Sequence, residues 1–103
     1  MKSNYKPSVI QKTCECYLCG KSYTAGLDHH HAIPARNRAK CDKYGLWVWL
    51  CRECHAKLHD TGEHDKEIRA IAQETFIRDM KKQGYPEDVA REEWFREFGK
   101  FYT

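Results

Sequence analysis

The spacing of the cysteines constrains this chain more than any other feature. Four of the six cysteines form two Cys-x-x-Cys pairs, CYLC at 16–19 and CREC at 51–54. Each pair can direct two thiolates at one cation, and two pairs together supply the four ligands of a tetrahedral structural zinc site. A chain of 103 residues builds only a modest hydrophobic core, so metal binding would contribute directly to folding. We therefore predict a structural Zn²⁺ site formed by Cys16, Cys19, Cys51 and Cys54.

The alternatives to this zinc site are a different set of cysteine ligands, a disulfide framework and a redox function. Cys14 could replace Cys16 as a ligand, although its spacing to Cys19 is less favourable. We otherwise expect Cys14 and Cys41 to be free thiols. A disulfide framework suits small secreted domains, but the N-terminal stretch lacks the apolar segment of a secretion signal. A pair of redox-active Cys-x-x-Cys motifs is the last alternative.

The order of local patterns predicts a β–β–α unit around the cysteines. The stretch LWVWL at 46–50 is β-branched and aromatic, which is typical of a strand, and we expect GLDHHHAI at 26–33 to be its partner strand. The polar, basic stretch 35–45 between them is predicted to be a loop. Good helix formers follow the second cysteine pair as far as Gly62. The sequence therefore predicts a small α+β zinc domain.

Five of the six histidines fall in two places within this frame. His29, His30 and His31 are consecutive in the first predicted strand, and His55 and His59 lie four residues apart in the predicted helix. Side chains at that spacing share one helix face, so two imidazoles can bind one divalent cation there. Solvated surface histidines are the simpler interpretation of the helical pair, but that interpretation does not account for the run upstream.

The C-terminal extension, residues 65–103, predicts two amphipathic helices separated by Gly84 and Pro86. Apolar side chains recur at four-residue spacing in the first helix, and the second helix has an aromatic side. We expect a single domain, 1–103, in which this extension packs on a core of residues 14–60. The alternative is that the aromatic side binds a second copy of the chain or a protein partner.

Charge is unevenly distributed along the chain. Residues 1–62 carry ten basic and five acidic side chains, whereas residues 63–103 carry eight basic and ten acidic side chains. The positive first part favours a polyanionic partner. The longest apolar run, at 45–51, is too short to cross a bilayer, and we find no secretion or lipidation motif. We therefore expect no membrane association and a cytoplasmic location.

Three segments in this order, CYLCG, DHHHAIP and LWVWLCRECHAKLH, resemble the HNH endonucleases over residues 14–60. The resemblance implies a ββα-metal, treble-clef-like fold. It also implies an enzyme that hydrolyses DNA phosphodiester bonds, by nicking or cutting, with the help of one divalent cation. It implies that His31, three residues before Pro34, is the general base that activates water. The cation, which is Mg²⁺, Mn²⁺, Ni²⁺ or Zn²⁺, would be held by His30, His55 and His59.

The remaining positions are less closely fixed by the resemblance. Asp28 has no fixed role: it either orients a ligand imidazole or binds the cation itself in a shifted register of the histidine run. His29 has no fixed role either, and it is likewise a residue that supports a ligand or an alternative ligand. The asparagine that braces the loop of the base in this family falls at Gly45 here, and Asn37 is one residue that could substitute for it.

DNA is the partner that the resemblance implies, and compact chains of this kind resemble those of bacteria and their phages. Backbone contacts with DNA, which position a protein without reading sequence, are expected from four residues of the basic loop, Arg36, Arg38, Lys40 and Lys43. Because the family asparagine is absent, the alternative function is a catalytically inactive zinc module that binds nucleic acid or protein.

Overall fold

The computed structural model describes residues 5–22, 26–34 and 37–103. Within them it has two strands and four helices: β1 Leu27–His31, α1 Arg38–Tyr44, β2 Trp47–Cys51, α2 Arg52–Thr61, α3 Asp65–Lys82 and α4 Glu87–Phe98. The predicted α+β class is confirmed, and the predicted strands and C-terminal helices are present with small shifts at their ends. None of the helices in the described ranges combines the length and the apolar composition that a bilayer crossing demands.

The two strands form an antiparallel sheet that separates the three consecutive histidines. His30 lies opposite Val48, and His31 lies opposite Trp47. Side chains alternate between the faces of a strand, so His30 shares the face of the fully buried Val48. His29 and His31 lie on the other face, with Trp47. The histidine run therefore supplies two different surroundings.

The segment between the strands contains a helix, so the prediction of a loop over 35–45 is wrong for its larger part. Helix α1 ends at Gly45, which has a φ of 72° in the left-handed region that glycine adopts readily. Cys41 is fully buried, and its Sγ lies 3.4 Å from both the amide nitrogen and the carbonyl oxygen of Ile33. Because Cys41 is the one buried residue of α1, the helix leaves almost no apolar periodicity in the sequence.

The N-terminal segment 5–11 runs along the edge of β2 that β1 leaves unpaired. The Ser8 hydroxyl donates to the Trp47 carbonyl at 2.6 Å, and the Trp49 amide donates to Gln11 Oε1 at 2.9 Å. Unpaired strand edges otherwise expose backbone donors and acceptors. These bonds fix the segment against the two-stranded sheet.

Helices α3 and α4 pack together and extend the core with aromatic side chains. Trp94 is fully buried and stacks on Phe98 with ring centroids 4.2 Å apart, and Phe76 contacts Trp94 edge-on at 5.4 Å. The buried side chain of Gln73 accepts the amide hydrogen of Tyr102. The C-terminal residues are thereby tied to α3.

The aromatic side of α4 is only partly covered. Phe95 remains 50% exposed and Val89 39% exposed. A second copy of the chain or a protein partner at this surface stays a prediction.

Candidate metal centres

The two Cys-x-x-Cys pairs meet at one point and form what we call the cysteine cluster. Its Sγ atoms lie within 4.8 Å of one another, and those of Cys19 and Cys51 are 3.8 Å apart. Zn–S bonds of about 2.3 Å in a tetrahedron place sulfurs about 3.8 Å apart. The cluster could hold a metal ion and is compatible with structural zinc, as predicted for its four members, Cys16, Cys19, Cys51 and Cys54.

Local backbone geometry aims these thiols at the shared point. The amide of Cys19 donates to Cys16 Sγ at 3.5 Å, and the amide of Cys54 donates to Cys51 Sγ at 3.4 Å. Cys51 also ends β2 and caps the N-terminus of α2, so one residue joins the strand, the helix and the cluster. Cys14 is exposed and is not a member.

The protonation of the cluster favours a bound cation. Burial opposes ionisation of Cys16, but amide hydrogen bonds from Cys51, Cys19 and Leu18 outweigh it and lower the pKa of Cys16 to about 6. Burial and the neighbouring thiols raise the pKa of Cys54. Four thiolates can therefore coexist here only when a cation compensates their charge.

Three imidazoles meet on the core-facing side of β1, and we call them the three-histidine cluster. Each contributes one ring nitrogen, and these nitrogens all lie within 4.8 Å of one another. The members of the cluster are His30, His55 and His59. The Nε2 atoms of His55 and His59 are 3.0 Å apart. The structure thus brings together the three histidines that the resemblance assigned to the catalytic cation.

His30 gives the clearest sign that these residues fit a cation. Its Nε2 is buried and has no hydrogen-bond partner among the described residues, which costs free energy unless a ligand binds there. Burial, followed by the charges of His55 and His59, lowers the pKa of His30 to about 4. The ring is therefore neutral near pH 7, and its lone pair is available to a metal.

Asp28 fixes the orientation of one of these imidazoles. His55 Nδ1 donates to Asp28 Oδ2 at 2.8 Å, which leaves the lone pair of His55 on Nε2, the atom that faces His59. Of the two roles predicted for Asp28, this contact matches the orientation of a ligand.

His31 lies on the opposite face of β1, in a group with His29 and Asp42 that we call the Asp42 cluster. Asp42 belongs to α1, and its Oδ1 lies 3.0 Å from His29 Nε2 and 2.9 Å from His31 Nε2. The His29 ring stacks on Trp47 at 4.2 Å, and burial lowers the pKa of His29. No local pattern in the sequence singles out Asp42, because its position depends on α1 lying against β1.

One pocket of about 370 Å³ adjoins both groups of histidines. Its lining residues are His29, His30, His31, Pro34, Arg38, His55 and His59. We call it the histidine pocket. It lets a molecule bound in it contact imidazoles from both faces of β1.

The basic residues predicted to contact DNA have different surroundings. Arg38 is exposed and lines the histidine pocket. Lys40 donates to the backbone carbonyl of Glu97 on α4, and Lys43 is exposed on α1. Arg36 lies outside the described residues.

Position 45, where the resemblance to HNH endonucleases would place an asparagine, is closed to a side chain. A Cβ on Gly45 would lie 2.4 Å from the carbonyl oxygen of Pro7, a backbone atom that cannot rotate away. Asn37 precedes α1 and its side chain makes no capping bond. Among the described residues, the side chain hydrogen-bonded to His31 is that of Asp42.

Comparison of the chain with protein-family models, with curated proteins and with solved structures gives no match. Membership of the HNH endonucleases therefore stays a prediction, and any function has to be argued from the clusters themselves.

Proposed function

We propose that this chain is a metal-dependent endonuclease of the HNH type that hydrolyses DNA phosphodiester bonds. In this proposal the cysteine cluster holds structural Zn²⁺, the three-histidine cluster holds a catalytic divalent cation, and the chain has a ββα-metal fold. The observation that carries the proposal is the convergence of three imidazoles with a buried, unpaired nitrogen on His30, beside His31 in one pocket.

The three-histidine cluster has the donor set of an open catalytic site. Three imidazole donors leave coordination positions for phosphate and water, which four thiolates do not. A divalent cation bound there would polarise the scissile phosphate and stabilise the negative charge of the leaving oxygen. Nitrogen donors favour Mn²⁺, Ni²⁺ or Zn²⁺ over Mg²⁺.

The contacts of His31 support its role as the general base. Because its Nε2 lies 2.9 Å from a carboxylate oxygen, we assign the proton to Nε2 and the lone pair to Nδ1. The side chain is 23% exposed and lines the histidine pocket, so Nδ1 can accept a proton from water. Asp42 acts as a positioning residue and takes the bracing role that asparagine has in the family.

Arg38 supports binding of the substrate backbone. Its exposed side chain lines the same pocket, and a guanidinium can donate two parallel hydrogen bonds to a phosphate. Such contacts carry no base sequence, so we expect cleavage with weak sequence preference.

Cleavage of supercoiled plasmid DNA tests the proposal. The zinc-loaded chain is incubated with plasmid and Mg²⁺, Mn²⁺, Ni²⁺ or Zn²⁺, and we expect nicked or linear product with at least one of them. His31→Ala should lower the rate by about 10²- to 10⁴-fold. His64→Asn is the matched control: His64 is exposed and outside both histidine clusters, and asparagine tolerates its φ of 66°.

Two results would contradict the proposal. If His31→Ala cleaves DNA at the rate of the unmodified chain, His31 is not the general base. Absence of cleavage with every cation, while the protein still binds DNA or a protein, would favour the alternative function of a catalytically inactive zinc module.

A further inference from the structure

We propose that the Asp42 cluster is a second binding site for a divalent transition-metal ion, distinct from the three-histidine cluster. Its donors are two imidazole nitrogens and one carboxylate oxygen, from His29, His31 and Asp42. The proposed nuclease function uses His31 and Asp42 only as a base and its support, and it gives His29 no role.

The geometry of the Asp42 cluster is close to that of a coordination shell. His29 and His31 are two residues apart on one strand, so both rings project from the same face, and Asp42 approaches that face from α1. Bonds of about 2.0–2.2 Å in a tetrahedral site place ligand atoms about 3.3–3.6 Å apart. The observed separations from Asp42 Oδ1, 2.9 and 3.0 Å, need to widen by only a few tenths of an ångström.

The donors are held in place before any cation binds. The His29 ring is stacked on Trp47 at 4.2 Å and contacts the Tyr5 ring at 4.4 Å. The backbone carbonyl of Asp42 accepts the amide hydrogen of Lys6 at 2.8 Å, which ties this part of α1 to the N-terminal segment. Preorganised donors lose little conformational freedom when an ion binds. The cluster can therefore bind a cation without a large rearrangement of its side chains.

Exposure and charge make the cluster accessible to a small cation. The side chains of His29, His31 and Asp42 are 20%, 23% and 27% exposed. The carboxylate of Asp42 places an anionic oxygen beside two imidazole nitrogens, a combination that attracts a divalent ion. This mixed nitrogen and oxygen set suits Zn²⁺, Co²⁺, Ni²⁺ or Mn²⁺ better than Mg²⁺ or Ca²⁺.

Occupancy of this site would have one consequence for the reaction, and this consequence alone rests on the proposed function. A cation on His31 Nε2 requires the ring proton to move to Nδ1, the atom that would otherwise accept a proton from water. Excess transition-metal ion should therefore inhibit hydrolysis. Binding to the Asp42 cluster is measurable whether or not the chain cleaves DNA.

Titration of the zinc-loaded chain with Co²⁺ tests the site, with isothermal calorimetry and visible absorption as readouts. We expect two equivalents to bind beyond the zinc of the cysteine cluster. The double variant His55→Ala/His59→Ala should lose one and keep the other. Asp42→Asn and His29→Gln should each weaken the retained equivalent by at least about tenfold.

Zinc content and far-ultraviolet circular dichroism show whether each variant is folded, and if Asp42→Asn does not fold, His29→Gln decides. Binding in both single variants that equals that of the unmodified chain would overturn the proposal. So would a single equivalent that disappears in the double variant. A single equivalent that survives the double variant, but is weakened by Asp42→Asn, would support this site and contradict the proposed catalytic cation.

Discussion

Replacement of Gly45 by alanine tests the contact that closes this position to any side chain. Two costs add at this residue. A φ of 72° is unfavourable for alanine by about 1–2 kcal/mol. In addition, the new Cβ would lie 2.4 Å from the carbonyl oxygen of Pro7, a separation that real Cβ atoms essentially never show.

The second cost follows from what must move. Because the clashing atom belongs to the backbone, relief requires a shift of the N-terminal segment, which is held here by the amide of Val9 donating to the Gly45 carbonyl at 2.9 Å. Overpacking of this kind costs about 1–3 kcal/mol. We expect Gly45→Ala to lower the free energy of unfolding by about 2–5 kcal/mol.

Gly99→Ala is the matched control for the cost of placing alanine at a positive φ. Gly99 ends α4 with a φ of 74°, and nothing lies within 4 Å of the position of its Cβ. Its replacement should cost only about 1–2 kcal/mol. Urea unfolding of the two zinc-loaded variants measures the difference. Equal losses would show that the carbonyl oxygen of Pro7 does not obstruct a side chain at residue 45.

Three further predictions concern the metal, a buried histidine and the C-terminal helices. Cys51→Ser removes a ligand and should abolish stoichiometric zinc binding and unfold the chain, whereas Cys41→Ser should keep its zinc; equal melting curves and zinc contents would contradict the ligand assignment. His30 has a folded-state pKa of about 4, so as the pH falls from about 6.5 to about 4 the unfolded state takes up a proton that the folded state does not. The free energy of unfolding should therefore decrease over this pH range and level off below it. The decrease should be larger in the unmodified chain than in His30→Asn, by about 3 kcal/mol. Parallel pH profiles of the two proteins would refute the burial argument. Trp94→Ala should cost about 3–5 kcal/mol in urea unfolding without removing zinc, and a loss of zinc content would show that α4 supports the cysteine cluster directly.

Local patterns in the sequence were sufficient for most of the secondary structure. Strand β2 is recognisable from its β-branched and aromatic run, and α3 and α4 from apolar spacing, because these signals depend on neighbours within a few residues. Strand β1, LDHHH, has no such run and is predicted only as the partner of β2. The sequence does not predict helix α1, because the helix buries only Cys41 and therefore has no periodic apolar pattern.

The sequence likewise predicts part of the candidate site, and only the tertiary structure decides the rest. The cysteine spacing and the four-residue interval between His55 and His59 were sufficient to propose two metal centres, since each interval fixes geometry within one turn. The place of Asp42 beside His31, the burial of His30 Nε2 and the approach of Pro7 to residue 45 were not accessible in this way. Each depends on segments far apart in sequence packing together, and only the tertiary structure decides which distant side chain or carbonyl fills the space next to a given residue.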